Sequence, residues 1–185
     1  GRMKEALKLY QKDLAITEEL VQTRGTPEDR SDLSVSYNKL AGIYEAQGKL
    51  EEALELYQKS FAIVEELARV RGTPENRRNL AVSYGSVAAI YKAQGKMDEA
   101  LGLYQKGLTT FEEFVRVYGR PKDKRSLSFT YSKIAEIYEK KAQIKKALEL
   151  FQKSLAIEKE LVKKRGSAVD LRDLSVAYEK VAGIY

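Results

Sequence analysis

Glutamate pairs are the residues of this chain best placed to do chemistry. Glu18-Glu19, Glu51-Glu52, Glu65-Glu66 and Glu112-Glu113 each set two carboxyls side by side, the residue type that general acid–base catalysis uses. Neighbours on a helix point about 100° apart. None of these pairs is therefore an acid–base couple by itself, and the pattern predicts a solvated helix face. The chain holds no histidine and no cysteine. That removes Ser–His and Cys–His nucleophile pairs, the usual zinc sets and any disulfide framework. No strand precedes a Gly-rich phosphate loop. The expectation is a protein that is not an enzyme, with no cofactor and no metal site. Its 12 tyrosines read either as core residues or as an aromatic binding strip.

The elements that carry these residues repeat. Tyr37–Lys59 returns at 84–106 and 131–153, and Tyr37, Tyr84, Tyr131 and Tyr178 stand in register at a period of 47 residues. Without gaps, 31–77 and 78–124 share 24 of 47 residues. Self-similarity at such a period marks an array in which each unit buries its apolar face against the next. The register divides residues 1–185 into a leading partial repeat at 1–30, full repeats at 31–77, 78–124 and 125–171, and a partial repeat at 172–185.

Apolar spacing predicts about eight helices, over 2–23, 28–47, 50–70, 75–94, 97–117, 122–141, 144–164 and 169–185. Met3, Ala6, Leu7, Tyr10, Leu14 and Ile16 mark the apolar side of the first. Gly25, Gly72, Gly119 and Gly166 end alternate helices. Thr26-Pro27, Thr73-Pro74 and Ser167 open the next ones with a capping hydroxyl. Arg120 lacks one, so that helix start is expected to be less well fixed. One- or two-residue turns at Gln47-Gly48 and Gln94-Gly95 force antiparallel hairpins. Ala142-Gln143 replaces the Gln-Gly turn, and an extended or looser hairpin is expected there.

At these residues the chain resembles the tetratricopeptide repeat family. The first-helix pattern is matched by Tyr37, Leu40, Ala41 and Tyr44, by Tyr84, Val87, Ala88 and Tyr91, by Tyr131, Ile134, Ala135 and Tyr138, and by Tyr178, Val181, Ala182 and Tyr185. The second-helix pattern is matched by Ala53, Tyr57 and Ser60, by Ala100, Tyr104 and Gly107, and by Ala147, Phe151 and Ser154. In the leading partial repeat Ala6 and Tyr10 match, while Asp13 takes a small-residue position expected to be more open. The units are longer than the family's usual one, and Glu65 stands where its helix-ending proline is found. Such long units are similar to those of kinesin light chains and of many bacterial regulatory proteins. The resemblance implies an all-α fold, an α-solenoid of antiparallel helix pairs coiled into a right-handed superhelix whose concave side is lined by the first helices.

By the family's pattern the groove-facing positions are Asn38, Gly42 and Glu45, then Gly85, Ala89 and Lys92, then Ser132, Glu136 and Glu139, with Glu179 and Gly183 in the last partial unit. Of the Lys and Asn set that clamps a terminal carboxylate in chaperone-binding members, Asn38 alone is present, so no such clamp is expected. The small residues read either as a floor for a close-lying peptide or as an unselected face. The implied function is a non-catalytic protein–protein interaction scaffold binding a peptide or partner segment in the groove. Two alternatives stay open. One is a structural spacer or self-association module of a larger signalling protein. The other is nucleic-acid binding through residues 120–185, where 16 basic residues face 9 acidic ones; solvated charge drift is the plainer account of that excess. Gly1-Arg2-Met3 aligns with Gly48-Lys49-Leu50 and the chain stops partway through a unit. The expectation is a fragment of a longer protein, able to stack head to tail through its cut ends. No apolar run is long enough for a membrane span, and a soluble, cytoplasmic protein is expected.

Overall fold

A computed structural model describes residues 2–185. Gly1, which opens the first partial repeat, lies outside them. Eight helices follow one another: α1 (Arg2–Thr23), α2 (Pro27–Ala46), α3 (Leu50–Arg71), α4 (Pro74–Ala93), α5 (Met97–Tyr118), α6 (Pro121–Lys140), α7 (Ile144–Lys164) and α8 (Ala168–Ala182). No strand occurs among the described residues. Helix ends fall within a few residues of the sequence expectation, the largest difference being α8, which stops at Ala182 rather than running to Tyr185.

The chain divides into two compact units, one ending at Lys96 and one spanning Met97–Tyr185. In the first, α1 packs on α2, α2 on α3 and α3 on α4; in the second, α5 packs on α6, α6 on α7 and α7 on α8. Consecutive pairing of this kind is the packing of an α-solenoid. The repeat's small residues sit where backbones approach: Ala41, Ala88 and Ala135 on first helices, and Ala53, Ala100 and Ala147 on second helices, are fully buried. Tyr57, Tyr104 and Phe151 fill the space beside them and are buried too. In the second unit Ala135, Ala147 and Phe151 form one cluster, with Tyr138, Leu150, Val181 and Ile184 packed against it. Burial of one such large side chain is worth about 1.5–3 kcal/mol. Asp13 is half-buried where Ser60 and Ser154 are buried, so the leading repeat is more open at that position, as expected. Met3 and Ile16, read as apolar-face residues of α1, are instead exposed, because the half-buried side runs through Tyr10, Leu14 and the buried Thr17.

The hairpin at Ala142 is not looser than its siblings. The amide of Ala142 donates to the Glu139 carbonyl at 2.9 Å and that of Gln143 to the Tyr138 carbonyl at 2.8 Å. These bonds match Gly48 to Glu45 and Lys49 to Tyr44, both at 2.9 Å. Ala142 takes the left-handed conformation, φ 56°, in which Gly48 and Gly95 lie at 74° and 81°. For an L-residue that costs roughly 1–2 kcal/mol. Helix packing on both sides imposes the turn, and alanine accepts it.

Capping proceeds as the residues suggest, with an addition. Thr26 Oγ1 accepts the Asp29 amide at 3.1 Å, and Asp29 Oδ2 accepts the Thr26 amide at 3.1 Å. Ser167 and Asp170 repeat this reciprocal pair. Thr73 accepts the Asn76 amide, and Asn76 Nδ2 turns to the Leu67 carbonyl at 3.1 Å. At Arg120, where the hydroxyl is missing, the start is nonetheless held. The Asp123 amide donates to the Arg120 carbonyl at 3.0 Å, and Arg120 Nε donates to the buried Asp123 carboxylate at 2.6 Å.

Candidate functional site

The expected groove positions lie on the first helix of each repeat at i, i+4 and i+7, one face of an α-helix. Three residues before the first of them stands an apolar residue that the sequence reading did not single out. Val35, Val82, Phe129 and Val176 recur at the 47-residue period and are 43–57% exposed. Each first helix thus presents an exposed apolar side chain at the head of the same face. A lone exposed valine is ordinary; the same exposure in every register position is not explained by core packing.

On α2, Asn38 and Gly42 are half-buried and Glu45 is exposed. The Asn38 side-chain oxygen is buried without a hydrogen-bond partner. A Cβ on Gly42 would stand 3.8 Å from Tyr57 Oη, which donates to Glu45 at 2.9 Å. Burial and then this carboxylate push the Tyr57 phenol well above its ordinary range. Glu45 is thereby tied to α3 of its own repeat. On α4, Gly85, Ala89 and Lys92 are half-buried.

In the second unit the structure brings Ser132 and Glu136 together and leaves Glu139 apart. A cavity of about 320 Å³ is lined by α6, α7 and α8 and includes both residues. Ser132 Oγ lies 2.9 Å from Ser154 Oγ, which lies 2.7 Å from Ser128 Oγ. Glu136 sits between Lys133 at 3.3 Å and Lys180 at 3.1 Å. Glu139, Glu179 and Gly183 are exposed and do not line the cavity. Glu158 also lines it, from α7, and is 4% exposed. Burial raises its carboxyl above the ordinary range, against a lowering hydrogen bond from Ser128. The signal for it was present in the register, where Thr17, Val64 and Phe111 hold the same position.

The glutamate pairs are exposed to differing degrees but are not only solvated. Tyr37 Oη donates to Glu18 at 2.9 Å and Tyr131 Oη to Glu112 at 2.7 Å, so the first member of two pairs joins adjacent repeats. Among the described residues no cluster of three acidic groups could hold a metal ion, and no helix is long and apolar enough to cross a membrane. Many basic groups of residues 120–185 face carboxylates. Lys124 and Lys164 both meet Glu160 at 2.7 Å, chiefly the Lys124 hydrogen bond holding that carboxyl down at about 2.

Sequence models described as tetratricopeptide repeat match residues 32–113 and 130–161. No curated protein sequence matches the chain. Among solved structures it is similar to BtubC (BKLC) from P. vanneervenii, with 23% identity and a TM-score of 0.75, covering 100% of this chain and 66% of that one. The chain thus spans about two-thirds of that protein's length. A putative kinesin light chain of P. anserina with nearly identical repeats is similar at 22% identity and a TM-score of 0.63, over 99% of this chain and 81% of that one. The yeast histone chaperone Hif1, described as a scaffold protein recruiting protein complexes to core histones, is similar at 11% identity and a TM-score of 0.59, over 100% and 98%. At these identities the structural likeness speaks for the fold. With the 47-residue register, the paired helices and the two sequence matches, it leads to one conclusion: the chain belongs to the tetratricopeptide repeat family.

Proposed function

We propose that this chain is a non-catalytic protein-interaction scaffold, cytoplasmic in setting, whose first-helix faces receive a peptide or an extended segment of a protein partner. The observation that carries this reading is the recurring exposed apolar residue, Val35, Val82, Phe129 and Val176, at the head of each of those faces. Behind it stand small or polar residues: Asn38 and Gly42, Gly85 and Ala89, Ser132 and Glu136. Within each unit two apolar anchors stand over a small-residue floor, Val35 and Val82 in one and Phe129 and Val176 in the other, which suits a segment that lies close along the two first helices of that unit. The fold shared with a protein described as a scaffold supports the same reading.

Selection of a random peptide library on the whole chain tests it. Binders are expected, and Val82→Asp together with Phe129→Asp is expected to abolish their retention while leaving helix content unchanged. Retention by the doubly substituted chain equal to that by the parent overturns the reading.

A further inference from the structure

We propose that the turn joining α6 to α7 docks on an anionic lipid surface, with Lys140, Lys141, Lys145 and Lys146 over the headgroups and Ile144 entering at the acyl boundary. The inference goes beyond the reading of the first-helix faces and does not depend on it.

The corresponding turns of the sibling repeats carry the opposite charge. Residues 46–52 and 93–99 each hold one lysine and two acidic residues, a net −1. Residues 140–146 hold four lysines and no acid, a net +4. The change falls where a helix least favours it. α3 and α5 open with Glu51-Glu52 and Asp98-Glu99, acids that suit the positive end of a helix. α7 has no acid in its first turn and places Lys145 and Lys146 there. Both work against the helix dipole, so local folding preference does not account for them. Such breaks with a repeated local rule are where function is sought.

The charge is not used up within the fold. Residues 140–146 are exposed except for the half-buried Gln143. Lys141 bonds to Asp98 on α5. Lys146 reaches neutral groups, the Gln143 side-chain oxygen at 2.9 Å and the Tyr138 ring at 5.3 Å. Lys140 and Lys145 have no acidic partner among the described residues. Glu149, one turn further along α7, is taken by Lys153 at 2.8 Å. Setting Asp98, its neighbour Glu99 and the exposed Glu139 all against the four lysines still leaves the turn positive. Both sibling turns are negative before any neighbour is counted.

Ile144 decides between polyanions. It is 46% exposed amid the lysines, whereas Leu50 and Met97 at the same register position are half-buried. A nucleic-acid phosphate backbone makes no use of an aliphatic group flanked by cations. A bilayer takes both, the cations at the headgroups and the aliphatic group just beneath them. Shape agrees with this choice. A tight turn between two antiparallel helices, exposed along nearly its whole length, is a tip without walls. It suits a flat surface better than a peptide that must be enclosed.

The test is co-sedimentation of the whole chain with phosphatidylcholine vesicles, with and without phosphatidylserine, at low and high salt. Retention by the phosphatidylserine vesicles at low salt is expected, with release at high salt and none on phosphatidylcholine alone. A lysine near an anionic surface is worth about fivefold in partition. Lys145→Glu together with Lys146→Glu should therefore cut retention by about 25-fold or more. That variant installs the residues found at Glu51 and Glu52 and complements the helix end, so it is expected to fold as the parent does. Lys4→Glu together with Lys8→Glu makes the same change in net charge at two exposed lysines of α1 and should leave retention intact. Ile144→Ser should weaken retention several-fold without altering its salt dependence. No retention at low salt, equal retention on phosphatidylcholine, or equal effects of the α7 and α1 lysine pairs overturns the proposal. An Ile144→Ser variant retained like the parent overturns it too. So does retention of a DNA duplex in preference to the vesicles, which assigns the lysines to a phosphate backbone instead.

Discussion

Tyr131 on α6 donates its phenolic hydrogen to Glu112 on α5 at 2.7 Å, joining the second helix of one repeat to the first helix of the next. The pair recurs in the first unit as Tyr37 and Glu18 at 2.9 Å, with the same separation of 19 residues. Between them in register, burial and the charge of Glu65 raise the Tyr84 phenol. In the last register position lysine replaces the glutamate, and Lys159 Nζ lies 5.2 Å from the centre of the Tyr178 ring. A polar tie thus accompanies the apolar contact between successive repeats.

Tyr131→Phe is expected to lower stability by about 0.5–1.5 kcal/mol, the net worth of a hydrogen bond. In a denaturation cycle with Glu112→Gln, the second substitution should add less in the Tyr131→Phe background than in the parent. Full additivity would show the bond to be energetically idle. The same contacts order the tyrosine titrations. Burial first, then Glu18, lifts Tyr37 to about 12, so its absorbance change in alkali should come late and move earlier in Glu18→Gln.

Ala142→Gly is expected to stabilise the protein by about 0.5–1 kcal/mol. The substitution removes left-handed strain of roughly 1–2 kcal/mol and returns part of it as unfolded-chain entropy. Gly48→Ala, at the equivalent turn, should destabilise by a similar amount. Urea midpoints of the two variants check both signs.

Asp170 and Glu158 should give opposite pH responses. The Ser167 hydrogen bond, with Arg125, holds Asp170 at about 2, below its unfolded value near 3.8. Its contribution is complete above the unfolded value and is lost as pH falls from about 4 towards 2. Ser167→Ala should raise the pH of acid unfolding. Glu158 is displaced upward by burial. The folded state then holds its proton where the unfolded state has released it, so stability declines as pH climbs above about 4.5 and levels off past the folded value. Glu158→Val should remove that decline in a pH series of thermal melts.

Glu158→Val is also expected to raise stability at neutral pH by about 1 kcal/mol, since it removes a buried carboxyl with one oxygen unpartnered and restores an apolar core position. Calorimetry checks this.

Helix number, order and pairing were legible in the residues alone, because the register repeats at 47 and each repeat carries its own caps and small core positions. Local rules sufficed: a hydroxyl before proline, a glycine after the last turn, an apolar stripe near 3.6 residues. Three features needed the tertiary structure. The turn at Ala142 is set by packing of α6 on α7 and not by its own preference. Arg120 substitutes for a capping hydroxyl only because the buried Asp123 is within reach of its guanidinium. Glu158 lies among carboxylates and cations from three helices, and the upward displacement of its carboxyl is a property of that surrounding. A sequence records which residue breaks the register, but the energy of a buried charge depends on every group packed around it, and those groups come from segments far apart along the chain.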